Sequence, residues 1–128
     1  MNVTAMEPLA VVDGYLGAMA ARDIAGARSY LADRGFEYIS PIANFHSADA
    51  FSENMGGATA ILHDVVVVHR FAADGVACHV LDVTVNMTGY QTRRVVQLAQ
   101  VRDGRIIRLE VIFDASELNR MIGAGAES

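Results

Sequence analysis

Apolar residues recur at two different spacings along this chain, and the change of spacing divides it. Over residues 9–22, Leu9, Val12, Leu16 and Met19 return every three or four positions, which predicts an amphipathic helix with Asp13 and Arg22 on its other faces. Asp23 is placed to cap a second helix with the stripe Ile24, Ala27 and Leu31, ended by Gly35, so the two form a hairpin joined almost directly. Residues 36–40 read as a short strand stopped by Pro41, which has no amide proton to give to a ladder. Ser47 then caps a short helix with Phe51 and Met55 one turn apart, ending at Gly56-Gly57. Beyond Ile61 the pattern becomes β-branched and partly alternating, in four long runs at 61–71, 76–87, 90–101 and 105–113. Asp74-Gly75 and Asp103-Gly104 turn two of the hairpins. Asp114-Ala115-Ser116-Glu117 has the form of a capping box, opening a last helix with Leu118, Met121 and Ile122 inward and a frayed tail behind it.

Helices followed by a meander predict an α+β domain, a curved sheet whose concave side is capped by the helices. The hairpins also assign faces, because opposed residues in an antiparallel pair share a face. With Asp74-Gly75 and Thr88-Gly89 as two-residue turns, Val67 opposes Asp82, Thr84 opposes Arg93 and Val80 opposes Gln97. One face then gathers ionisable and aliphatic residues, among them His63, Val67, His69, Asp82, Arg93 and Gln97. The other is almost wholly aliphatic, with Leu81, Val83, Val85, Met87 and Leu98. The mixed face is expected to line a cavity and the aliphatic one to pair two copies of the chain, and a slip of one residue would exchange the two sets.

At 128 residues the chain has the size of a single domain over 1–128, with no repeat or linker. A net charge of −5 with scattered basic residues argues against a nucleic-acid partner. The lone Cys78 excludes an intrachain disulfide and a cysteine-rich metal site, and fits a cytoplasmic setting. There is no signal-like N-terminus and no apolar run of membrane-spanning length, so no membrane partner is expected. The 52% hydrophobic content must then be absorbed by a core and a subunit interface.

Among candidate chemical groups, Asp82 and Arg93 come first, since the assumed register sets them diagonally on one face. The arginine would keep the carboxylate ionised, and the pair could orient a carbonyl or a water; a structural ion pair in a half-buried sheet is the competing reading. His69 and His63 are candidate general bases, because an imidazole titrates at about pH 6.5, although strand histidines commonly make one structural hydrogen bond. His46 and His79 rank below them. Two histidines and Asp82 on separate strands carry no metal-ligand motif, so no metal and no cofactor are expected. Tyr15, beside the first helix's apolar stripe, could donate to an oxyanion or simply pack its ring. Val65, Val67, Val95, Val111 and Phe113 would exclude water, with Ser40, His63, Thr84, Asn86 and Gln97 as specificity contacts and Asp114 at the mouth or capping the last helix.

The helix hairpin VVDGYLGAMAARDIAGARSYLAD at 11–33, the strand ending in Ser40-Pro41 and the closing DGRIIRLEVIFD at 103–114 resemble the nuclear transport factor 2-like superfamily. That superfamily includes ketosteroid isomerase, limonene epoxide hydrolase, scytalone dehydratase and the SnoaL-like polyketide cyclases. The resemblance implies a cone-shaped, cystatin-like α+β fold over nearly the whole chain. It places Tyr15 at the oxyanion-hole tyrosine of ketosteroid isomerase, Ser40 where the catalytic aspartate stands, and Gln97 near the second oxyanion-hole acid. Val111 falls on the final-strand aspartate of limonene epoxide hydrolase. Serine cannot take up a proton as a carboxylate does, which argues against steroid isomerisation, and valine at 111 argues against the epoxide hydrolase machinery in the same way. The resulting expectation is a SnoaL-like domain for a small apolar molecule bearing a carbonyl or hydroxyl. Cofactor-free acid-base chemistry (isomerisation, cyclisation, dehydration or hydrolysis) is one outcome, and a non-catalytic binding or dimerisation module the other.

Overall fold

The structure, a computed structural model, describes residues 3–116. The chain runs through α1 (Val3–Ala20), α2 (Ile24–Arg28), β1 (Glu37–Ile39), β2 (Asn44–Phe45) and α3 (Ala48–Ile61) into four long strands. These are β3 (Leu62–Ala73), β4 (Val76–Asn86), β5 (Tyr90–Arg102) and β6 (Arg105–Ile112). The α+β expectation holds: one open mixed sheet has the order β2-β1-β6-β5-β4-β3, with β1 parallel to β6 and the other neighbours antiparallel.

Local chemistry accounts for most boundaries. Asp23 caps α2 by accepting from the Gly26 amide at 2.9 Å, and Ser47 caps α3 by accepting from the Ala50 amide at 3.1 Å. Asp74-Gly75 and Asp103-Gly104 both have positive φ at each residue, the backbone that a tight two-residue hairpin turn needs. α1 begins at Val3 rather than Leu9 and takes in Pro8, whose buried ring is accommodated at the expense of one helical hydrogen bond. α2 is shorter than its stripe predicts, because Leu31 leaves the helix to bridge Ile106 in parallel fashion. α3 passes through Gly56-Gly57 to Ile61: Phe51, Met55 and Thr59 continue one buried stripe, and Arg22 closes the end by donating to the carbonyls of Thr59 and Leu62. The last helix expected over Leu118, Met121 and Ile122 lies outside the described residues.

α1 lies on the concave face of the sheet and seals the core there. Val12, Leu31, Ile106 and Leu109 are wholly buried, and Phe36, Tyr38 and Phe51 stack beside them with ring centroids 5.7 and 4.3 Å apart. Beyond Tyr15 and Leu16 this packing opens into a cavity.

Candidate functional site

The register of the long hairpins decides which side chains reach that cavity. Asn86 opposes Tyr90, so the turn between β4 and β5 is three residues, Met87 to Gly89, rather than two. Every pairing of β5 with β4 is therefore one step from the expectation. Asp82 opposes Arg94, Thr84 opposes Thr92, Val83 opposes Arg93, and His79 opposes Gln97. Leu81, Val83 and Val85, expected on a subunit contact, line the cavity instead. A bulge at Val67 to His69 adds a second correction, with Val67 opposite Leu81 and Val66 opposite Asp82.

The cavity has a volume of about 320 Å³ and lies between α1, α3 and the concave sheet. Its wall is mostly aliphatic, and its polar groups are few. Of the residues singled out in the sequence, Tyr15, Val65, Arg93, Val95, Gln97, Val111 and Phe113 border it. Tyr38, Asn54, Gln91 and Asp114 add the remaining polar atoms. Arg93 donates to Gln91 Oε1 at 3.2 Å, and Asp114 accepts from the amide and hydroxyl of Ser116 at 3.0 and 2.7 Å. Burial, with the Tyr38 phenol nearby, pushes the Tyr15 phenol far above the ordinary tyrosine range, and burial raises Tyr38 as well. Both rings therefore remain neutral donors.

The other expected site residues lie elsewhere. Asp82 sits on the outer face and accepts from Arg94 Nε at 2.6 Å, so the Asp82–Arg93 pair is replaced by Asp82–Arg94. On the same face, the Thr84 and Thr92 hydroxyls bond at 2.7 Å, and Asn86 is exposed beside the turn. His69 pairs with Val80, as the Asp74-Gly75 turn predicts, and stays on the Asp82 side of the sheet. That side faces away from the cavity, because the bulge and the β4–β5 turn bring Val65 and Val83 to the inner face instead. His63 falls in a second register shift and packs its exposed ring against Tyr90, 4.5 Å between centroids. Val67 is exposed and borders a shallow groove with Asp13 and Arg70. Ser40 is not in the cavity lining: it bonds its own turn, donating to the Ala43 carbonyl and accepting from the Ile42 and Ala43 amides, and hydrogen-bonds the Tyr38 phenol.

His79 is the residue that pattern reading ranked too low. It is wholly buried, its Nε2 lies 2.9 Å from Asp13 Oδ1, and Arg70 Nη1 lies 2.9 Å from the other Asp13 oxygen. A histidine in an aliphatic run, opposite a glutamine and reachable from an aspartate on the covering helix, is the signal that could have found it. Among the described residues no cluster of three or more His, Cys, Asp or Glu could hold a metal ion, and no helix is long and apolar enough to cross a membrane.

No family model matches the chain, and no curated protein matches it significantly. Solved structures do. A protein from Kribbella flavida is similar over 97% of this chain and 100% of its own, with a TM-score of 0.82 and 25% identity. A nuclear transport factor 2-like protein from Cytophaga hutchinsonii matches over 85% and 91%, with a TM-score of 0.74 and 22% identity. The chain has the nuclear transport factor 2-like fold. An LEH-like epoxide hydrolase from Mycobacterium tuberculosis shares this fold over 97% of this chain and 98% of its own, with a TM-score of 0.78 and 15% identity. At such identities the shared property is the nuclear transport factor 2-like backbone, and chemistry has to be argued from the side chains.

Proposed function

We propose that this nuclear transport factor 2-like domain binds one small, largely apolar molecule in the cavity beneath α1. The observation that carries the reading is a largely aliphatic wall in which two of the polar groups, Tyr15 and Gln97, are buried, at 2% and 8% exposed. Burying polar atoms against aliphatic ones costs free energy unless something pairs with them, and a ligand's hydroxyl or carbonyl would do so. The experiment is titration of the protein with a fluorescent apolar probe, in the wild type and in Val95→Trp, which fills the cavity. Saturable binding lost in the filled variant supports the reading; binding that survives filling overturns it.

Acid-base turnover is the fuller form of the proposal. Asp114 would move a proton at the mouth, Arg93 would hold an anionic group beside it, and the Tyr15 phenol would stabilise developing negative charge. The candidate reactions remain isomerisation, cyclisation, dehydration and hydrolysis of a carbonyl- or hydroxyl-bearing substrate. A structural neighbour that is an epoxide hydrolase makes epoxides worth including in a substrate screen. Asp114→Asn should abolish turnover and spare binding. The second reading, a non-catalytic binding module, is favoured by the bonds from Ser116 that already engage Asp114 as a cap. Pairing of two copies through the sheet would use the outer face, where Val66 and Phe71 are exposed.

A further inference from the structure

Across the β4–β5 ladder, His79 and Gln97 stand directly opposite each other on the face turned toward α1. Gln97 borders the cavity, whereas His79 lies behind it and is wholly buried. Asp13 fixes the imidazole. A carboxylate can only accept, so the 2.9 Å contact to Asp13 Oδ1 requires the proton on His79 Nε2. In the neutral ring Nδ1 is then an acceptor, and it has no partner among the described residues; nor has Gln97 Oε1. Opposed residues of one ladder have Cβ atoms about 5 Å apart, close enough for these side chains to bond. Turning the carboxamide over would let its Nε2–H donate to His79 Nδ1 and leave its carbonyl oxygen toward the cavity.

We propose that His79, held by Asp13, is a positioning residue that presents Gln97 to the cavity as a hydrogen-bond acceptor, selecting apolar ligands that carry a hydroxyl. Such a group donates to Gln97 Oε1 and accepts from the Tyr15 phenol. Ethers and ketones supply only acceptors and leave the Gln97 oxygen unpaired, which a buried site penalises. The inference rests on the cavity being the binding site.

Two matched probes test it: β-naphthol and its methyl ether, titrated into the full chain. The wild type should favour the naphthol by about three- to tenfold, the span of one buried hydrogen bond. In His79→Leu the carboxamide is free to turn, so the preference should fall to near parity while the ether still binds. Should that variant fail to fold, Asp13→Asn serves, since its amide can donate to Nε2, move the ring proton to Nδ1 and bring the Gln97 N–H groups into the cavity. Its preference should shift toward the ether. An unaltered preference in folded His79→Leu overturns the proposal, as does a nitrogen NMR spectrum that places the wild-type His79 proton on Nδ1. If neither probe binds the wild type, the cavity reading itself is overturned, and the NMR spectrum then decides the His79–Gln97 pairing alone.

Discussion

Asp82 Oδ1 accepts from Arg94 Nε at 2.6 Å on the outer face of the sheet, while its neighbour in sequence, Arg93, borders the cavity on the inner face. Consecutive strand residues point to opposite sides, so one step of register exchanges an interior arginine for a surface one.

Asp82→Asn is accordingly expected to leave probe binding unchanged and to alter stability by less than about 1 kcal/mol, because the pair is open to solvent. Arg93→Gln should weaken binding of an anionic probe several-fold without a comparable stability change. Titrations beside urea unfolding check both. A large loss of binding in the Asp82 variant would contradict the face assignment.

That single step also shows what the pattern could and could not convey. Asp74-Gly75 and Asp103-Gly104 are turn pairs with one common geometry, and both hairpins close where their residues indicate. Met87-Thr88-Gly89 admits either two or three residues in the loop, and alternation is no arbiter here, because both faces of β4 and β5 are rich in valine. The bulge at Val67 to His69 falls in a run of four valines, where an inserted residue leaves no trace. Val95 and Gln97 were legible from strand alternation, Tyr15 from its place beside the helix stripe, and Val111 from the resemblance of the closing strand. His79 was not, since its partner Asp13 belongs to a helix distant in sequence.

The ion pair on α1 should matter more than its exposed position implies. Asp13→Ala leaves the buried His79 Nε2–H without an acceptor, and a cost of about 1–3 kcal/mol is expected in urea unfolding. Arg70→Ala removes only the solvent-exposed partner and should cost under about 1 kcal/mol. Equal effects would mean that His79 draws little from Asp13.

Ile106 is wholly buried and receives Leu31 as its bridge partner, tying the end of the helix hairpin to β6. Ile106→Val should cost about 0.5–1.5 kcal/mol and Ile106→Ala about 2–5 kcal/mol, with the larger cavity setting the difference. Thermal and urea denaturation read both, and an alanine variant as stable as the valine one would show that the junction collapses freely.

Alkaline pH isolates Tyr15. In the unfolded chain its phenol titrates at about pH 10, whereas burial and the adjacent Tyr38 hold it protonated well above that in the native state. Above about pH 10 the unfolded chain therefore binds fewer protons than the native one, and the stability of the native state falls as pH rises. The contribution is fully present below that pH. At its steepest, one such group accounts for about 1.4 kcal/mol per pH unit. Tyr15→Phe should flatten the decline while Tyr38, raised in the same direction, sustains a weaker one. Urea unfolding measured from about pH 8 to about pH 11 in the wild type and Tyr15→Phe gives both slopes, over a range where Tyr15 supplies the larger share. Identical slopes would mean that the Tyr15 phenol reaches water readily and is not a buried donor on the apolar cavity wall.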